Sequence, residues 1–339
     1  MRKRSVPVAL VVALALGVFV AAALVYCTSM PGESRAVPLP ALTSDERAVA
    51  EELERHVRAL SVDIGVRRAT AGDSLRRAEA YLHAELTPLG AAPGASLRRE
   101  AIPNAPGDAA NLVLDFPGKL AGPLVLVGAH YDSAPEPTPA ANDNGSGSAA
   151  ALVLAARLGR EPRQLPLRFV LFANEEMPYF ATAQMGSLVH ARGCRARGEQ
   201  LRAMFSLETM GYFSDAPGTQ KYPPPLSALY PDRGNFIGFV ANLGSRALLR
   251  ESLGLFRQHA TVPSEGASLP ASLPGIGWSD HWAFWQEGYQ AVMVTDTALF
   301  RDPNYHRPSD TLDKLDFERL ARVVVGLEQM LRELTRAPH

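Results

Sequence analysis

An almost unbroken apolar run from Val6 to Tyr26 opens the chain, directly behind Arg2, Lys3 and Arg4. A helix needs about 20 apolar residues to cross a bilayer, so this stretch predicts an N-terminal transmembrane helix. The basic cluster assigns its N-terminal end to the cytoplasm and the bulk of the chain to the outside. A cleaved signal with a secreted product is the alternative. Thr28 to Pro40 contains Pro31, Gly32, Pro38 and Pro40 and reads as an exposed tether. The chain therefore divides into a membrane segment over 1–27, a linker over 28–43 and a folded domain over 44–339.

Inside that domain the apolar period changes twice. Val49, Leu53, Val57 and Leu60 share one face of a helix starting near Ser44. Leu75, Ala78, Leu82 and Leu86 share one face of a second, with Asp73 as its predicted N-cap. Strand-like segments come next, at Leu97–Ile102 and Asn111–Phe116. Short apolar strands at Leu124–Val127, Leu167–Phe172, Ala203–Leu207, Phe236–Val240 and Ala291–Val294 then alternate with helices. Those helices are predicted over Ser148–Leu158, Leu248–His259 and a closing stretch from Phe317 to Leu334. Such alternation predicts an α/β architecture with a largely parallel sheet. Residues 219–235 and 261–277 are rich in Pro, Gly and Ser and read as long loops, of the kind that shape a binding site.

Composition narrows the function. The 339 residues carry 34 basic and 35 acidic side chains. Setting aside residues 1–27, which hold three basic residues and no acid, leaves 31 against 35. A nucleic-acid binder needs a concentrated basic face, so that class is excluded. Two cysteines are too few for a disulfide framework, and Cys27 lies at the membrane segment, away from Cys194.

The chemistry sits at the strand ends. His130 and Asp132 come after Leu124–Val127, Glu175 and Glu176 after Leu167–Phe172, and Glu208 after Ala203–Leu207. Asp296, Tyr305 and His306 come after Ala291–Val294. Ligands of open parallel sheets bind at the carboxyl ends of strands, so these groups converge on one rim. Imidazole with carboxylate suits zinc or another divalent first-row metal. His130, Asp143, Glu175, Glu176, Glu208 and His306 exceed what one tetrahedral ion needs and suffice for two ions sharing a carboxylate. Asp143, in the turn Ala141-Asn-Asp-Asn-Gly-Ser-Gly147 before a helix, is the natural bridge, with backbone N–H groups there able to orient it. Each residue alone has a plainer reading as a turn, surface or core residue. His56, His83, His190, His259 and His339 lack the strand-end context and read as structural or exposed.

Six motifs in one order carry a resemblance. Ala129-His-Tyr-Asp-Ser133, Ala141–Gly147, Asn174-Glu-Glu176, Leu207-Glu-Thr-Met-Gly-Tyr212, Ser279-Asp-His281 and Tyr305-His306 resemble the dinuclear zinc exopeptidases of the bacterial secreted aminopeptidase type. The resemblance covers roughly residues 45–335. It implies a three-layer α/β/α fold around a mixed, largely parallel sheet, two zinc ions, and peptide substrates. It also implies that Asp143 bridges the ions, that His130 and Glu208 complete one site, and that Glu176 and His306 complete the other. Glu175 is then the general base, Asp132 the partner that orients His130, and Tyr305 an oxyanion-stabilising group. Asp280 is a candidate for lining the substrate cleft, and the aromatic cluster Trp282, Phe284 and Trp285 reads as core. The resemblance leaves open glutaminyl cyclase-like acyl transfer and a non-catalytic receptor role. A serine hydrolase is disfavoured because G-x-S-x-G is absent, and the single-metal H-E-x-x-H is absent as well.

Overall fold

The computed structural model describes residues 8–336, with the side chains at 8, 10, 11 and 13 set aside. The basic cluster Arg2–Arg4, Val6 and His339 lie outside the described residues.

Helix α1 spans Val8–Thr28 and contains no charged residue. Among the described residues, however, no helix is long and apolar enough to cross a membrane. The expected transmembrane helix is therefore not found as a span among the described residues. The tether beyond it lies along the domain rather than hanging free. Arg246 donates to the Tyr26 carbonyl, Arg250 to Ser29, Arg257 to Pro31 and Gly32, and Arg322 to Pro40. Proline-rich backbone keeps its carbonyls unpaired within the segment, and the arginines of the domain take them up.

Helix α2, Ser44–Arg58, starts on a capping box. The Thr43 hydroxyl accepts from the Glu46 amide at 3.1 Å, and the Thr43 amide donates to the Glu46 carboxylate at 2.8 Å. Helix α3, Ser74–Gly90, has Asp73 at its N-cap position but without the predicted side-chain bond. Asp73 has φ −99° and ψ 5° rather than the extended backbone of a capping residue.

Eight strands form one sheet in the order β1-β2-β4-β3-β5-β8-β6-β7. They are β1 Ser96–Ala101, β2 Ala110–Phe116, β3 Leu124–His130, β4 Leu167–Phe172, β5 Leu201–Glu208, β6 Ile237–Ala241, β7 Ser264–Ser268 and β8 Ala291–Thr295. The centre, β4-β3-β5-β8, is parallel, whereas β1-β2, β2-β4 and β8-β6 are antiparallel. Strand β7 falls inside the predicted loop 261–277. Its sequence, SEGAS, is small and polar because it is an edge strand, so apolar periodicity does not reveal it.

Alternation along the strands sorts the core into two faces. Odd positions such as Val125, Val127, Phe205 and Leu207 pack with Leu53, Leu82, Leu154, Phe256 and Leu327. These come from α2, α3, α4 (Gly147–Gly159), α6 (Arg246–His259) and α8 (Phe317–Leu334). Even positions such as Leu126 and Met204 pack with Leu188 and Phe284, from α5 (Gly186–Ala196) and the short α7 (His281–Gln286). The result is the expected three-layer arrangement. The second face is covered less completely by helices, and there the long loops close over the sheet.

Candidate metal centre

His130 and Glu208 are the last residues of adjacent parallel strands β3 and β5. Gly128 pairs with Ser206, so two residues further on, both side chains rise from the same face. His130 Nε2 stands 3.2 Å from Glu208 Oε2. Ser279 fixes that carboxylate by donating to Oε2 at 2.7 Å.

Asp143 stands between the two histidines. Its Oδ1 lies 3.3 Å from His130 Nε2 and its Oδ2 lies 2.9 Å from His306 Nε2. Glu176 Oε1 lies 3.3 Å from the same His306 nitrogen. Two groups of potential ligand atoms result, His130–Asp143–Glu208 and Asp143–Glu176–His306, with Asp143 in both. The five residues singled out as ligands from sequence thus meet in space. No backbone amide orients the Asp143 carboxylate among the described hydrogen bonds. Instead, the buried Asp310 carboxylate accepts from the amides of Asn142 and Asp143 at 2.8 and 3.0 Å. The loop is therefore gripped by a carboxylate below it, not by the start of α4.

Asp132 does more than face His130. Its two oxygens accept from the amides of Glu175 and Glu176 at 3.1 and 3.0 Å. Asn174 makes this possible by taking a left-handed conformation, φ 59°, just before the pair. With both oxygens so engaged, Asp132 stays 3.5 Å from His130 Nδ1, at the limit of a hydrogen bond. Glu175 lies next to the ligand set, 3.8 Å from His130 Nε2.

The charges are unbalanced as the protein alone arranges them. Burial pushes Glu176 up to about 7 and Glu175 well above the usual carboxylate range, reinforced for both by neighbouring carboxylates. Burial opposes protonation of the histidines, yet the surrounding carboxylates hold His306 at about 10 and His130 well above its usual value. Asp143 Oδ2, Glu176 Oε1 and His130 Nδ1 are buried without a hydrogen-bond partner. Buried polar atoms are nearly always paired; His130 Nδ1 faces Asp132, but the two orphaned carboxylate oxygens, both at His306 Nε2, fit divalent zinc, which would neutralise them.

Tyr305 stacks on His306 with ring centroids 3.9 Å apart. Burial, with the charges of Asp143, Glu208 and Glu176 added, raises its phenol well above the usual value, so it stays a proton donor. The position of Asp280 differs from the expected one. It is 0% exposed and cannot line an open cleft. It lies beneath the centre, where burial raises it to about 7 and the charges of His130 and Glu208 reach it. His281 is likewise internal, with Nε2 2.7 Å from the Ile276 carbonyl and its ring edge-on to Trp285.

Sequence patterns miss one organiser entirely. Arg67 is fully buried, and its guanidinium donates to the carbonyls of Leu60, Gly65, Tyr131, Pro139 and Ala140. It thereby holds the loop between His130 and Asp143. It sits in a non-periodic loop, so nothing in the sequence marks it. Arg67→Met should lower unfolding free energy by about 3 kcal/mol or more, because several buried carbonyls lose their donor. Denaturant titration checks this, and a loss below about 1 kcal/mol would mean the carbonyls find other partners.

A model of Peptidase family M28 matches residues 111–329. The uncharacterized protein YfbL of Escherichia coli (strain K12) is 37% identical over 300 residues, covering 86% of this chain and 90% of that protein. A probable leucine aminopeptidase of Arthroderma otae is 28% identical over 233 residues, 64% of this chain, and the match spans 55% of the fungal protein. BSAP, a zinc aminopeptidase from Bacillus subtilis, superposes with a TM-score of 0.64 at 16% identity, covering 85% of this chain and 95% of that one. A glutaminyl cyclase from Tannerella forsythia reaches 0.61 at 19%, covering 86% and 99%. At these identities the two structures speak for the fold alone.

Proposed function

The chain belongs to peptidase family M28 and is a metallopeptidase, and from that premise we propose that it is an aminopeptidase acting on peptides with two zinc ions. The observation that carries this reading is Asp143, whose two oxygens face two histidines at 3.3 and 2.9 Å. His130 and Glu208 would hold one ion and Glu176 and His306 the other, with Asp143 within reach of both.

Zinc bound there supplies Lewis-acid polarisation of the scissile carbonyl and makes a water molecule more acidic. The residues do the rest. Glu175, 7% exposed and outside both ligand groups, takes a proton from the attacking water and passes it to the leaving nitrogen. Burial holds its pKa up, and a divalent charge beside it works in the opposite direction. Those opposed effects suit a group that must both accept and release a proton near neutrality. Glu176 could not share the task, because its carboxylate would be committed to the metal. Asp132 fixes both glutamates through their amides. The protonated Tyr305 phenol donates to the developing oxyanion.

The test is a panel of aminoacyl, acyl-blocked and N-terminal Gln peptides, run with zinc, with chelator, and after zinc is restored. Free N-terminal substrates should be cleaved, with activity falling at least about 100-fold under chelation and returning with zinc. Pyroglutamate formation with one bound metal would instead mark a cyclase.

We also propose that α1 anchors the chain, with residues 28–43 linking it to a catalytic domain over 44–339 outside the cytoplasm. The support is the uncharged sequence of α1 and its exposed side chains, with Val18 and Phe19 each 70% exposed. Protease added to intact cells should degrade the domain. Protection of the domain there, with digestion only after lysis, contradicts this orientation.

A further inference from the structure

We propose that this centre also hydrolyses amides whose acyl group is a long hydrocarbon chain, a substrate class beyond N-terminal residues. The inference rests on the zinc-hydrolase reading of the centre but not on recognition of a free amine.

A cleft of about 110 Å³ begins at Glu208 and Tyr305 and runs over the second face of the sheet. Strand pairing defines its floor. Glu208 pairs with Thr295, Thr295 with Gly238, and Gly238 with Glu265, a row across β5, β8, β6 and β7. A second row, Met293–Val240–Ala267, runs beside it. Three inter-strand steps make the floor about 14 Å long. Gly238 and Ala267 keep it low. The loops 219–235 and 261–277 supply the roof, chiefly Tyr222, Leu226, Tyr230, Leu269 and Ile276.

Length and lining together select the occupant. The cleft is deeper than the side chain of one N-terminal residue requires. An extended peptide would carry N–H and C=O groups into it, and these need partners. Several polar side chains of the lining are already paired. Gln220 Nε2 donates to the Thr297 hydroxyl, Gln220 Oε1 accepts from Arg301, and the Tyr230 and Tyr222 hydroxyls donate to the carbonyls of Gly266 and Pro231. Thr295 bonds with Thr209. Glu265, at the far end, has Arg257 at 3.7 Å. A peptide backbone would be left unsatisfied there, whereas a hydrocarbon chain needs no partner.

The surroundings agree with an amphiphile. The apolar cluster of Leu226, Leu269 and Ile276 reaches Cys27, at the base of the uncharged helix α1. Leu273, Trp278 and Leu299, which line the cleft, are 38–52% exposed. The far end of the cleft and its apolar rim thus adjoin the segment proposed to enter the bilayer.

The reaction balances as hydrolysis. The amide C–N bond breaks, the water oxygen joins the acyl carbon, and Glu175 carries a proton from water to the leaving nitrogen. A fatty carboxylate and an amine are released.

The experiment compares N-butanoyl-, N-octanoyl- and N-dodecanoyl-leucine anilides and leucine anilide on the zinc-loaded full chain and on Ala267→Trp. Calorimetry on the metal-free chain measures dodecanoate and butanoate binding without turnover. In the wild type, kcat/KM should rise roughly tenfold or more from butanoyl to dodecanoyl, and dodecanoate should bind at least about tenfold tighter than butanoate. The tryptophan should block the distal floor, removing both gains while leaving the butanoyl and leucine rates within about twofold. Chain-length independence in either measurement overturns the inference, as does equal loss of short and long substrates in Ala267→Trp. A preference for N-terminal arginine that Glu265→Gln abolishes would also overturn it. Dodecanoate binding without hydrolysis of any anilide would instead sink the zinc-hydrolase reading.

Discussion

Glu175→Gln is expected to retain the zinc content of the wild type while losing about 10²–10⁴-fold in kcat. The amide is close in size to the carboxylate, and Glu175 belongs to neither ligand group. The Glu175 main chain is held by Asp132 through its amide, a bond the substitution leaves untouched. The ability to accept a proton is lost. KM should change little, because the loss falls on the chemical step. Steady-state kinetics paired with metal analysis decides the matter, and a variant that turns over at the wild-type rate removes Glu175 from the role of base.

Asp143→Ala should be the more damaging change. Each Asp143 oxygen faces a different histidine, so one truncation removes a ligand from both groups. The remaining pairs, His130 with Glu208 and Glu176 with His306, are too few to hold a tetrahedral zinc tightly. Activity should fall to the chelated background. Metal content after gel filtration should drop from two ions per chain to fewer than one, and zinc should lose its stabilising effect in thermal unfolding. Glu208→Ala is the control, since it should deplete one site preferentially. Two zinc ions retained by Asp143→Ala would exclude bridging.

Much of this centre was legible from strand ends. His130, Glu175, Glu176 and Glu208 each terminate or succeed a short apolar run, and parallel strands present the residues at their carboxyl ends to one rim. Asp143 and His306 were legible through their motifs, without any indication of how their loops are held. Arg67 and Asp310 were not legible. Their importance is that Arg67 donates to carbonyls up to 73 residues away and Asp310 accepts from amides 168 residues away, and no local pattern encodes such partners. Asp280 was misplaced for a related reason. Its neighbour Trp278 is 52% exposed while Asp280 is 0% exposed, a difference that depends on packing two residues apart.

The sequence by itself determined the alternation of strands and helices, the residue types able to bind zinc, and the order of the motifs. These arise from local periodicity and side-chain chemistry, which each segment carries alone. The tertiary structure decided which oxygen of Asp143 faces which histidine. It also decided that β7 extends the sheet, and that small residues on β6 and β7 leave an apolar cleft reaching toward α1. Those features depend on strand register and on loops folding back over one face, which bring together residues far apart in sequence.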